Sequence, residues 1–310
     1  MILAKFADLI VYSSMSARPT MVSLLADLAL GEGVRPSSLP GVRLMYSSEN
    51  WPRVPVTYDP GIVIIAQGRK RGHLGGQTFL YDPDNYLVLS VPLPFECDTE
   101  GTPNKPMLGL FVGVNPSVVA ELVMEMRNLP PITDFQGPAV KSQPLDSELK
   151  EAALRLLLAL RNDDDTRILG PQIVREIVYL GLLRDRSGNL RALATPHSHF
   201  GQINRALQRM HVDFAKPIDV PALAREAGMS ASTFHNHFKA ITSSAPLQYL
   251  KSIRLQKARM LMAHEGMTAS VASREVGYES ASQFSREFKR YFGDTPAAVA
   301  GRMRESMVRL

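Results

Sequence analysis

Two polar sets, fifty residues apart, carry side chains suited to gripping a patterned polyanion. Ser232, His235, Asn236 and Lys239 form the first; Ser282, Ser285, Arg286, Lys289 and Arg290 form the second. Short side chains that donate and accept can hydrogen-bond base edges in a duplex major groove, and an arginine offers guanine O6 and N7 a planar fork. Arg286 is therefore the leading candidate for sequence reading. Lys289 and Arg290 are better suited to phosphates, which set position and salt dependence but carry no sequence information.

The elements that must hold these sets are repeated. Residues 223–239 read LAREAGMSASTFHNHFK and residues 272–289 read ASREVGYESASQFSREFK. Each copy begins with a short helical stretch that ends at a glycine, Gly228 or Gly277, a residue favoured at a left-handed helix cap. A serine then caps the next helix, Ser230 or Ser232 in the first copy and Ser280 or Ser282 in the second. Phe234, Phe238 and Ile241 make the buried stripe of one second helix; Phe284, Phe288, Tyr291 and Phe292 make that of the other. The polar sets fall on the opposite faces. Leu250, Ile253, Leu255, Ala258, Leu261 and Met262 predict one helix between the copies, decorated by Lys251, Arg254, Lys257 and Arg259. Two helix–turn–helix units on such a strut would enter successive major-groove faces about 34 Å apart.

Charge supports the same division. The chain of 310 residues has a net charge of +5, but residues 200–310 carry +7 and residues 1–199 carry −2. Only the C-terminal part is built to meet a polyanion. An apolar content of 45% supplies about two buried cores, and the single Cys97 excludes an intrachain disulfide and a cysteine-rich zinc site. No apolar run approaches the length of a membrane span, so a cytoplasmic protein with no membrane partner is expected.

Residues 42–114 break into short apolar or alternating runs separated by Gly, Pro, Asn and Asp, which predict an all-β sandwich or small barrel with a hairpin turn at Gly75-Gly76. Helices follow, starting at Pro116 and Pro171. The wide stripe of Leu149, Ala153, Leu156, Leu157 and Leu160 predicts a helix that closes the β core and also pairs with a second subunit. Residues 185–200 lose periodicity and read as a connector.

The region 203–300 closely resembles the DNA-binding domain of the AraC/XylS family of bacterial transcription regulators. The stretch VASREVGYESASQFSREFKRYFGDTPAAV carries the likeness most specifically, through Gly277, Tyr278, Phe284, Phe288, Tyr291, Phe292, Gly293 and Pro296. The run QGRKRGHLGGQTFLYDPDNYLVLSVPLP is similar to the N-terminal domain of one AraC subgroup. The resemblance implies an α+β chain of two domains: a cupin-like β-barrel followed by helices over 1–190, a linker over 191–201, an all-α seven-helix DNA-binding domain over 202–300 and a tail over 301–310. Within the DNA-binding domain it places the first helix–turn–helix at about 219–241, the linker helix at about 246–263 and the second unit at about 268–292. It implies double-stranded promoter DNA and RNA polymerase as partners, a homodimer, a small-molecule effector in the N-terminal domain and no cofactor. Activation is the family's commoner mode.

Other constellations are weaker. Arg69, Arg71 and His73 alternate along one strand and share a face, where they could hold an anionic effector; the competing reading is a row of salt-bridge partners. His235-Asn236-His237 spells a nuclease motif but lies on one helix. A metal cupin needs several inward histidines, and the β region has only His73; His197 and His199 lie in the connector. Cys97 stands among Glu96, Asp98 and Glu100, which disfavour a reactive thiolate. Tyr46, Trp51, Tyr58, Phe79, Tyr81 and Tyr86 suit either a core or a pocket. Two alternatives stay open: an effector-independent regulator whose N-terminal domain only dimerises or binds a partner, and an enzyme fused to a DNA-binding domain. The second lacks any nucleophile–base pair, ligand set or phosphate loop in 42–115.

Overall fold

The computed structural model describes residues 18–29, 31–126, 138–185, 188–195 and 198–308, with side chains in the last stretch as far as 304; His197 lies outside them. The β region comprises β1 (Gly33–Pro36), β2 (Val42–Ser47), β3 (Trp51–Tyr58), β4 (Gly61–Gln67), β5 (Arg69–Leu74), β6 (Gln77–Tyr81), β7 (Asn85–Leu89), β8 (Leu93–Glu100) and β9 (Met107–Gly113), with β10 (Val140–Pro144) added later in the chain. They make two open antiparallel sheets, ordered β1-β2-β9-β4-β7-β10 and β3-β8-β5-β6, rather than a closed barrel. The run GIVIIAQGRKRGHL explains the split. It breaks at Gly68, so that β4 pairs in the first sheet and β5 in the second.

The sheets meet face to face. Tyr58 of β3 stacks on Phe95 of β8 at 5.2 Å and on Phe111 of β9 at 6.4 Å. Strand β8 alternates strictly, with Leu93, Phe95, Cys97 and Thr99 inward and Pro94, Glu96, Asp98 and Glu100 outward, the period-2 pattern of a half-solvated sheet. By contrast β4 and β9 are buried along nearly their whole length. Helix α1 (Met21–Leu28) contacts both of them, and helix α5 (Gly170–Arg184) lays Gly181 against Ile62 of β4.

Helix α2 (Pro116–Glu125) starts at the expected proline, with the Asn115 side chain accepting from the Ser117 amide at 2.9 Å. Helices α3 (Ser147–Ala159), α4 (Asp163–Ile168) and α5 (Gly170–Arg184) follow. Leu149, Ala153, Leu156 and Leu157 are fully buried and Leu160 nearly so, while Leu158, Ile168, Leu169, Tyr179 and Leu183 remain exposed. After a 3₁₀ turn at Arg191–Ala194 come α6 (His199–Val212), α7 (Val220–Glu226), α8 (Ala231–Thr242), α9 (Pro246–His264), α10 (Ala269–Glu275), α11 (Ala281–Phe292) and α12 (Pro296–Val308). The described C-terminal region is thus all helical. No helix among the described residues is long and apolar enough to cross a membrane.

Packing divides the molecule unevenly. One buried cluster runs from the sheets through α6 to Phe234, Phe238, Ile241, Tyr249 and Ile253. A second, smaller one holds Leu255, Ala258, Met262, Ala272, Val276, Tyr278, Phe284, Phe288 and Ala300. The β region also bonds directly to the helices. The Tyr249 hydroxyl donates to the Pro92 carbonyl at 2.6 Å, and the Ala139 amide donates to the Ile241 carbonyl at 2.9 Å.

Candidate nucleic-acid interface

Both helix–turn–helix units form where the repeat places them. In the first, Gly228 closes α7 at φ 66°, and the Ser230 side chain caps α8 by accepting from the Thr233 amide at 3.2 Å. In the second, Gly277 closes α10 at φ 80°, and Ser280 caps α11 by accepting from the Gln283 amide at 3.3 Å. Of the two serines available in each copy, the earlier one does the capping. The later ones, Ser232 and Ser282, are left on the exposed first turn, where a recognition helix meets base edges.

Of the aromatic stripes, Phe234, Phe238, Phe284 and Phe288 have no accessible surface, while Tyr291 and Phe292 are only partly buried. Opposite them, Ser232, His235, Asn236 and Lys239 on α8 and Ser282, Ser285, Arg286, Lys289 and Arg290 on α11 are all exposed. The side chains of Arg286, Lys289 and Arg290 make no hydrogen bond or ion pair with the described residues, which leaves three cations on one helix free for an outside anion. Ser285 is less available, because its hydroxyl donates to the Ala281 carbonyl one turn back at 2.9 Å. Gln283, outside the sequence-derived set, is exposed too but donates to Glu287 at 3.2 Å. The β5–β6 turn approaches the first unit: Gly75 shares a shallow cleft with Asn236 and Lys239.

The linker helix differs from its sequence picture. Three of its four cations are turned to protein acceptors. Lys251 pairs with Glu287 at 2.9 Å. Arg254 donates to the carbonyls of Phe214 at 2.7 Å and of Gly277 and Lys216 at 3.0 Å each. Arg259 donates to the Pro55 carbonyl at 3.2 Å. The Arg254 bonds clamp the second unit's turn to the segment before α7. Spacing showed the positive charges but not the carbonyls waiting for them, which come from distant parts of the chain.

Arg69, Arg71 and His73 do share the outward face of β5. Across the ladder Arg71 bonds Asp98 at 2.9 Å and also Glu100, Arg69 pairs with Glu100 at 3.7 Å, and His73 bonds Asp98 at 2.6 Å. Burial would raise the Asp98 carboxyl, but the hydrogen bonds from His73 and Arg71 hold it below its ordinary range. The row is self-compensated. Its inward neighbour Lys70 is buried instead, donating to the Thr99 hydroxyl at 2.8 Å. Cys97 is also inward, 3.0 Å from the Tyr81 hydroxyl and on the opposite face of β8 from Glu96, Asp98 and Glu100. Tyr58, Tyr81 and Tyr86 are core, whereas Trp51 is exposed. His235 faces solvent while His237 stacks on His199 at 4.3 Å. Among the described residues no three His, Cys, Asp or Glu side chains group as metal ligands.

Residues 38–190 match the family profile described as AraC-type transcriptional regulator N-terminus, and residues 223–302 match a helix–turn–helix domain. The chain is 33% identical over 129 residues to the HTH-type transcriptional regulator AlkR of Acinetobacter baylyi, a match covering 42% of this chain and 40% of AlkR's length. It is 24% identical over 245 residues to the thermoregulatory protein LcrF of Yersinia pestis, covering 76% of this chain and 87% of that one. Its fold is similar to a solved structure of ToxT from Vibrio cholerae with unsaturated fatty acid bound, at a TM-score of 0.59 and 11% identity over 84% of this chain and 93% of that one. With an AraC-type N-terminal region followed by paired helix–turn–helix units, the chain belongs to the AraC/XylS family of DNA-binding transcription regulators.

Proposed function

We propose that the protein binds specific promoter DNA through α8 and α11, recruits RNA polymerase as an activator, and works in the cytoplasm as a homodimer under the control of a small-molecule effector. The carrying observation is the pair of exposed polar faces opposite buried aromatic stripes, with Arg286, Lys289 and Arg290 unpaired on the second. In this reading Ser232, His235 and Asn236 read one segment, and Ser282, Ser285 and Arg286 another. The two heads present different side chains and so select different bases. Lys239, Lys289 and Arg290 hold phosphates. The apolar residues left exposed on α3–α5 support pairing with a second copy, and the ligand in the ToxT structure supports an effector.

A second reading, in which the N-terminal domain only dimerises or binds a partner, draws support from the sandwich interior. Tyr58, Tyr81, Phe95 and Phe111 fill the space where a ligand would otherwise sit. The effector reading therefore rests on a cleft outside the sandwich.

The test is binding to an operator selected from random duplex DNA. Arg286→Ala should cost about 1–3 kcal/mol at the selected site and relax the preference at one base position. Unchanged affinity and preference would reject the docking of α11. Lys289→Ala should weaken selected and random duplexes alike and reduce the magnitude of the salt slope by about one; a loss confined to the selected site would contradict its phosphate role.

A further inference from the structure

The tip of the β5–β6 hairpin sits on the end of a reading helix. Gly75 lies so close to α8 that a Cβ on it would stand 2.8 Å from both Cβ and Oγ of Ser243. Ser243 caps α8 in the left-handed region at φ 54°, the one non-glycine residue at positive φ among the described residues. The second unit puts Gly293 at the same place, closing α11. A side chain in that conformation is strained. The first unit therefore carries a strain that the second avoids, and what the side chain does there is seat the hairpin. The Ala139 amide, donating to the Ile241 carbonyl at 2.9 Å, ties the β region to the same helix end.

Beside this seat lies an open cleft of about 440 Å³, lined by Gly75, Asn236, Lys239, Ala240 and Ser243. No carboxylate is among them. The side chains of Asn236, Lys239 and Ser243 make no hydrogen bond or ion pair with the described residues. The backbone amides of Gly75 and Gly76 are unbonded too, and both residues are exposed. An ammonium, a hydroxyl, a carboxamide and two amides thus make a donor-rich hollow with nothing in it to repel an anion. Backbone amides bind nucleic-acid phosphates, and a turn without side chains lets them come close. The two reading helices also differ in charge. Where α11 carries Arg286, Lys289 and Arg290, the matching positions of α8 are Asn236, Lys239 and Ala240. The head with one cation in place of three is the one the hairpin joins.

We propose that the hairpin tip is a DNA contact of its own. One backbone phosphate at the edge of the groove that α8 enters is held jointly by Lys239 and the amides of Gly75 and Gly76. The N-terminal domain thereby touches DNA, and its placement tunes the first head alone. The proposal rests on the docking of α8 put forward above.

The test uses the full-length protein and the selected operator at 0.15 M salt, where exposed charges beyond about 8 Å are largely screened. Gly76→Asp points a carboxylate at the phosphate from a position with nothing within 4 Å of a Cβ, in a conformation that Asp and Asn both visit. It should weaken operator and random duplex alike by about tenfold, while Gly76→Asn stays within about twofold of the wild type. In Gln77→Cys the new thiol is exposed and the native Cys97 is buried, so an iron chelate attaches at the tip alone. Its hydroxyl radicals should cut the strand beside the phosphate whose ethylation no longer matters in Lys239→Ala. Equal binding by Gly76→Asp and Gly76→Asn overturns the proposal, as does a bound chelate that cuts neither strand. Tighter binding by both Gly76 variants overturns it as well, by making the hairpin an obstacle to DNA. If Lys239→Ala binds every duplex as the wild type does, the docking of α8 itself fails. If Lys239→Ala weakens binding and Gly76→Asp does not, that docking stands and the hairpin contact alone fails.

Discussion

Gly277→Ala should destabilise the protein by about 3 kcal/mol or more and remove specific DNA binding by the second unit. The residue sits at φ 80°, and a Cβ there would overlap the Ala215 carbonyl oxygen and lie 2.8 Å from its carbon. Backbone cannot swing aside as a side chain can. The Gly277 carbonyl also receives Arg254, so shifting the turn breaks the clamp that joins the two units. Gly228→Ala is the internal control. It stands at the matching place in the first unit at φ 66°, but the nearest atom to its Cβ would be Gln202 Nε2 at 3.9 Å. It should cost only the conformational term, about 1–2 kcal/mol. Urea denaturation of the two variants measures the difference, and equal costs would show that the Ala215 contact is relieved without penalty.

The second large effect concerns acid. His211 donates from Nε2 to the Tyr249 hydroxyl at 2.8 Å, because that hydroxyl's own proton goes to the Pro92 carbonyl. Burial, reinforced by the charge of Lys257 and opposed by Asp59, lowers the His211 pKa from 6.5 to about 4. The unfolded chain therefore binds the proton first. Stability due to this residue is fully present above pH 6.5, falls as the pH drops and is lost by about pH 4, amounting to about 3 kcal/mol. Burial also favours the neutral form, so the imidazole stays uncharged at neutral pH. His211→Gln should flatten the stability profile between pH 4 and 6.5. The carboxylates whose pKa values lie below their ordinary range, Asp98 and Glu287 among them, act at lower pH. An unaltered slope in the variant would mean that His211 is not held neutral.

Much of the DNA-binding half was legible because its signals are local. Glycine, serine cap and F-x-x-x-F spacing lie within one unit, and the exposed faces follow from helix geometry alone. Strand β3 was not legible. Its Pro52 and Pro55 read as breaks, yet an edge strand tolerates proline, and β3 bonds only to β8 within its sheet. That edge leaves the Pro55 carbonyl to accept Arg259. The cleft beside Lys239 joins the β5–β6 turn to α8, so no window of sequence contains it. Alternation placed Arg69, Arg71 and His73 on one face but could not reveal Asp98 and Glu100 across the ladder. Nor could charge counting tell that Arg254 serves three carbonyls rather than phosphates.

The uneven division of the two buried clusters has a consequence for how the chain can be cut. Ile253 belongs to the cluster that reaches the sheets, and Leu255 to the one that does not. The seam between the two buried clusters therefore runs through the middle of α9, about fifty residues beyond the connector. A fragment trimmed at that connector would keep the second buried cluster whole and strip a flank from the first. The apolar sides of Phe238 and Tyr249 would lose the company they now share with the sheets. Modularity along the chain and modularity in space are different properties here.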